Sequence, residues 1–290
     1  GQITLRTGSA TLGTAGSISI VVGSGKSSAG GRIAMNAGES THVTGGAISV
    51  ISGYGRAASS GAFSIRTANA GDNGDTGSLS FTSGSTSKGS SGMITLRTGS
   101  TIDGASGSIS VVVGSGNLST GGRIAMNAGE STTTTGGAIS IISGYGRATS
   151  SGVFSVRTPN AGAAGVSGTL SFTSGTSSAG SSGQITLRTG SATLGAGGSI
   201  SVIVGSGKSS AGGRVVVTSG ESTHVTGGAL SMISGYGRTK SSGVFSVRTA
   251  DSGVDGVSGS LAFTSGTTSK GSSGQITLRT GSATLGTAGS

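Results

Sequence analysis

The sequence predicts an all-β protein: a parallel β-solenoid of about 15 residues per coil, with six coils in each 91-residue long repeat. Three observations predict it. The string GQITLRTG at Gly1 returns at Gly92 as GMITLRTG, and again at Gly183 and Gly274 as GQITLRTG. Within that long period a shorter unit opens at Gly1, Gly16, Gly31, Gly46, Gly61 and Gly77. Each short unit begins with apolar residues at alternate places, and a fixed period of this kind marks a solenoid or array.

The first half of the unit reads as a strand. Gly1 is followed by Gln2-Ile3-Thr4-Leu5-Arg6-Thr7, Gly16 by Ser17-Ile18-Ser19-Ile20-Val21-Val22, and Gly77 by Ser78-Leu79-Ser80-Phe81-Thr82-Ser83. The third and fifth places are apolar and the fourth is mostly Ser or Thr, which is period-two alternation with one face to bury. Glycine and β-branched residues at this density oppose helix. The second half, for example Ser24-Gly25-Lys26-Ser27-Ser28-Ala29-Gly30, reads as a loop of small residues able to turn tightly. Coils stacked at the strand spacing of about 4.8 Å would give an axial period of roughly 29 Å per long repeat. The expectation is one continuous solenoid over 1–290, with long repeats 1–91, 92–182 and 183–273 and a partial fourth, 274–290. One unit in six is a residue longer, opening at Gly61, Gly152 and Gly243, and the extra residue falls in its loop. A local bulge is expected there.

Composition narrows the function classes. Glycine supplies 62 of 290 residues, yet there is one Pro and no three-residue glycine period, which excludes collagen. Regularly placed apolar residues distinguish the chain from a flexible linker. Cysteine is absent, so disulfides and thiolate metal sites do not arise. No apolar run approaches membrane-spanning length, and no membrane partner is expected. The chain begins without Met and stops in phase with the repeat, as a window from a longer array would.

The polar residue with the clearest order is arginine. With a net charge of +10, the chain places every Arg in one of four columns. These are Arg6, Arg97, Arg188 and Arg279; Arg32, Arg123 and Arg214; Arg56, Arg147 and Arg238; and Arg66, Arg157 and Arg248. Arg6 and Arg66 hold the sixth place of the unit, where alternation points side chains outward. The columns, joined by Tyr54, Tyr145 and Tyr236, are candidate contacts for glycans, an anionic polysaccharide or neighbouring copies. Solubility and edge protection are the competing role. Charge alone also admits nucleic acid, but no aromatic stacking platform accompanies the columns, which disfavours it.

Catalysis and cofactors find little support. Glu39, Glu130 and Glu221 recur without a second carboxylate or base at a fixed neighbouring place. Asp72 and Asp75 suggest calcium, but the matching loop of the second repeat, Pro159-Asn160-Ala161-Gly162-Ala163-Ala164-Gly165, has no acid. His42 and His224 give way to Thr133 in the middle repeat. Gly25-Lys26-Ser27 and Gly207-Lys208-Ser209 lack the first glycine of a phosphate loop. No catalytic, cofactor or metal residue is therefore assigned. Asn117-Leu118-Ser119 is a candidate N-glycan acceptor.

The strings GSISIVVGSGKSSAGG, GGAISVISGYG and GSLSFTSGSTSKGSSG resemble the long Gly/Ser/Thr-rich repeat proteins predicted in heterokont algae, over the whole chain. That resemblance implies a secreted or cell-surface fibrous protein, such as one of a flagellar hair or cell-wall filament. The resulting expectation is a structural protein that associates with itself into a filament. The alternative is a surface binding module, either a glycan-binding adhesin stalk or an ice-binding solenoid. For ice binding the outward ladders are mixed and partly charged: Thr4, Ser19, Ala34, Ser49, Ser64 and Ser80 alternate with Arg6, Val21, Asn36, Ile51, Arg66 and Thr82.

Overall fold

The computed structural model describes residues 1–289, and among them it contains neither a strand nor a helix. The expectation of an all-β solenoid is overturned. Two units divide the chain, Gly1–Ile142 and Ser143–Ser290, and each is built from the same local pattern. Extended segments of about seven residues alternate with loops, and each loop carries a bend at its centre except the fifth, which carries a turn, as at 72–73. In the first long repeat the bends lie at residues 11–13, 26–28, 41–43, 56–58 and 87–89. The 15-residue period is thus a property of the backbone as well as of the sequence.

The backbone hydrogen bonds explain why no sheet forms. Thirteen backbone–backbone bonds are present among the described residues, where a folded chain makes about one hydrogen bond per residue, roughly two-thirds of them backbone. Ten of the thirteen join the glycine that opens a unit to the glycine eight residues before it, as Gly31 N–H donates to the Gly23 carbonyl at 3.0 Å and Gly46 to Gly38 at 2.8 Å. These bonds close a loop inside one unit. They run across eight residues, not the fifteen that a rung-to-rung ladder requires, so the 4.8 Å stacking has no ladder behind it.

Among the described residues, none is buried. The accessible surface is 29,230 Å², against about 11,000 Å² for a compact monomer of this mass. Alternation nonetheless survives as unequal exposure: Val22 is 40% exposed while its neighbour Val21 is 87% exposed. Exposure also differs between equivalent places: Ile3 is 93% exposed, whereas Ile94 is 55% exposed. Two or three aliphatic side chains per unit make a thin core against the ordering entropy of fifteen residues, of which about one in five is glycine. The extended segments therefore remain half-covered and unpaired.

Candidate functional site

The backbone hydrogen bonds of the described residues lie at the loops. Those of the first long repeat span 8–16, 23–31, 38–46, 53–61, 68–77 and 84–92, and recur 91 residues later. Where the two ends of a loop meet, the opening glycine lies against the residue that ends the preceding segment. A Cβ on Gly16 would stand 2.9 Å from Thr7 Cβ, and one on Gly198 would stand 3.0 Å from Thr189 Cβ. A Cβ on Gly31 would collide with the Val22 Cγ1 methyl. The half-buried positions cluster at these necks and in the loops, among them Thr7, Ser52, Thr98, Thr158 and Ser234.

Each loop is braced in its own way. The first loop uses a glycine at positive φ at Gly13, Gly104 and Gly286, and the sixth at Gly89 and Gly271, a conformation that side chains rarely adopt. In the second and fourth, a glycine packs on carbonyls further along the loop: a Cβ on Gly55 would lie 2.6 Å from the Ala58 oxygen. In the third, a serine hydroxyl accepts from an amide three residues on. Val43 N–H donates to Ser40 Oγ at 3.1 Å, Thr134 to Ser131 at 3.0 Å and Val225 to Ser222 at 3.1 Å. This local side-chain bond holds the bend in all three repeats.

The fifth loop differs. Its eighth place holds Ala68, Pro159 or Ala250, not glycine; the closing bond is not formed there among the described residues, nor at the sixth loops or the first loops of the second and third repeats. The extra residue is taken up by a β-turn, with Gly74 N–H donating to the Gly71 carbonyl at 3.2 Å, Gly165 to Gly162 at 3.2 Å and Gly256 to Gly253 at 3.3 Å. With no strand present, this is a turn and not the expected bulge. The opening glycine still lies against the preceding threonine, with a Cβ on Gly77 standing 3.5 Å from Thr67 Cγ2 and one on Gly168 standing 3.3 Å from Thr158 Cγ2, and a cavity forms beside this neck in every long repeat. Arg66, Thr67, Ala68 and Asn69 line a cavity of about 290 Å³. Arg157, Thr158, Pro159 and Asn160 line one of about 350 Å³. Arg248, Thr249, Ala250 and Asp251 line one of about 290 Å³.

The candidate columns now separate. All thirteen arginines are exposed, but only Arg66, Arg157 and Arg248 line a described cavity. Arg6, Arg97, Arg188 and Arg279 stand beside first loops, and in two of these the following threonine is bonded at the neck: Thr7 Oγ1 donates to the Gly16 carbonyl at 3.0 Å, and Thr189 Oγ1 to Gly198 at 3.1 Å. Arg32, Arg123 and Arg214 follow the opening glycine of the third unit. Arg56, Arg147 and Arg238 begin the bend of the fourth loop, two residues after Tyr54, Tyr145 and Tyr236, whose rings are almost wholly exposed. Asn117 begins an exposed bend. Among the described residues, no three His, Asp or Glu side chains gather in a group suited to a metal ion. Comparison of the chain with known protein families, curated proteins and solved structures gives no match.

Proposed function

We propose that this protein is a structural element of an extracellular fibre, and that it assembles by association of its extended segments with those of other copies. The observation that carries this reading is the exposure of the apolar residues. The loops use their own backbone groups, whereas the segments leave both their amides and a regular aliphatic row open. An extended edge with free N–H and C=O groups and alternate apolar side chains is a template for another chain. Exposed apolar surface repeated at every unit is a further mark of an interaction surface. The arginines at the sixth place, Arg6 and Arg66 with their equivalents, add like charge along the row and restrain indiscriminate pairing. The resemblance to algal Gly/Ser/Thr-rich repeat proteins is the ground for placing the fibre outside the cell.

Sedimentation velocity over a wide concentration range tests this reading. The expected result is growth into large species, with filaments visible by negative-stain microscopy. A single monomeric species at every concentration would contradict it. A second reading, a surface module that binds glycans, draws on the cavities of the fifth loops.

A further inference from the structure

We propose that the fifth loop of each long repeat is a binding site for the oxyanion groups of an acidic polysaccharide, with one sulfate or carboxylate held per site. Two loops share an Arg-Thr pair. At the first loop of the first and third repeats, Arg6-Thr7 and Arg188-Thr189 are followed by a glycine, and the threonine hydroxyl donates to the Gly16 or Gly198 carbonyl. At the fifth loop, Arg66-Thr67 is followed by Ala68. There Gly77 still lies against Thr67, but the Thr67 hydroxyl is not drawn into such a bond among the described residues. The same holds for Thr158 and Thr249. An open cavity stands at each of these three places.

The linings of the first two cavities are rich in donors. Arg66 and Arg157 bring a guanidinium fork, which matches an oxyanion in two-point geometry. Thr67 and Thr158 bring a hydroxyl, and Asn69 and Asn160 an amide. Neither cavity has a carboxylate in its lining. The third has Asp251 in place of the asparagine, so it holds an anion less well. The chain's charge of +10 draws polyanions toward all three.

The cavity linings favour a polysaccharide over a nucleic acid. Single-stranded nucleic acid is held by stacking its bases on aromatic rings, and no aromatic residue lines these cavities. Tyr54, Tyr145 and Tyr236 belong to the fourth loop. Each arginine is exposed and its single site is weak, so useful affinity comes from one polymer engaging several sites. Binding of this kind weakens with added salt.

The test uses the full chain and immobilised dextran sulfate, followed by biolayer interferometry at concentrations below assembly. The variant carrying Arg66→Gln, Arg157→Gln and Arg248→Gln is compared with one carrying Arg6→Gln, Arg97→Gln and Arg188→Gln. Both lose the same charge from an Arg-Thr pair. The first is expected to bind at least about tenfold more weakly and the second to change by less than about twofold, because only the first removes linked sites. Asp251→Asn is expected to tighten binding. Equal losses in the two triple variants would overturn the proposal, as would absence of binding by the unaltered chain. Equal or tighter binding of polyuridylate would also overturn it. Polygalacturonate in a parallel arm distinguishes carboxylate from sulfate ester as the preferred group, and preference for either supports the site.

Discussion

In the fourth loop, Gly61 N–H reaches the Gly53 carbonyl at 2.8 Å, and Ser52 and Gly55 are half-buried. In the segment just before it, 46–52, Ile51 is 87% exposed, Ile48 is 57% exposed, and no backbone bond joins the segment to another. The two regions are neighbours in the chain and have opposite outcomes. The loop is completed within its unit, because closing it joins residues only eight apart, and short loops are closed at low entropic cost. The segment needs a partner, and its own chain does not supply one. Local order and the capacity to associate are therefore assigned to different halves of each unit.

The largest effect that sharpens this contrast is expected from the segments. Replacing Ile48, Ile139 and Leu230 by serine removes one aliphatic row from the surface available for assembly. Each such side chain contributes about 1.5–3 kcal/mol when fully buried. The assembly threshold, read by light scattering, is expected to rise at least tenfold, since about 1.4 kcal/mol is a factor of ten. The loop amides of the dilute chain are expected to stay unchanged, and their loss would erase the distinction between the regions.

A smaller effect is expected within a loop. Gly55→Val places side-chain atoms against the Ala58 and Ser59 carbonyls. A backbone collision costs about 2 kcal/mol or more, which exceeds the roughly 1 kcal/mol from one closing hydrogen bond. The fourth loop should open, with the Gly61 amide losing its protection by NMR, while the third loop keeps Gly46 bonded to Gly38. The smallest effect is expected from Ser40→Ala. It removes the bond from Val43 N–H and should weaken the third loop by about 0.5–1 kcal/mol, seen as faster exchange at Val43 and Gly46.

Much of the local pattern is legible in the residues. Gly1, Gly16, Gly31 and their successors mark the unit boundaries, and the bends fall in the Ser- and Gly-rich halves. The extra residue between Gly61 and Gly77 does lie in a loop. What the residues do not disclose is the partner of the apolar row. Alternation at Ile18, Ile20 and Val22 defines a face, but the same pattern serves a face covered by its own chain and one left for another. The Ser40 brace was within reach, because Ser three places before a bend amide is a known turn device. The special standing of Arg66, Arg157 and Arg248 was also within reach. Ala68, Pro159 and Ala250 break the glycine rule at the neck, and that exception separates their column from the other three.

Amide hydrogen exchange, measured on the dilute chain and again on assembled material, tests the central claim most directly. The account predicts that in the dilute chain the segments such as 17–22 and 47–52 exchange freely, while the closing amides of Gly31, Gly46 and Gly61 are slowed. In the assembled material the segments should become protected as well. Segments already protected in the dilute monomer would mean that the chain pairs with itself, and would contradict the account.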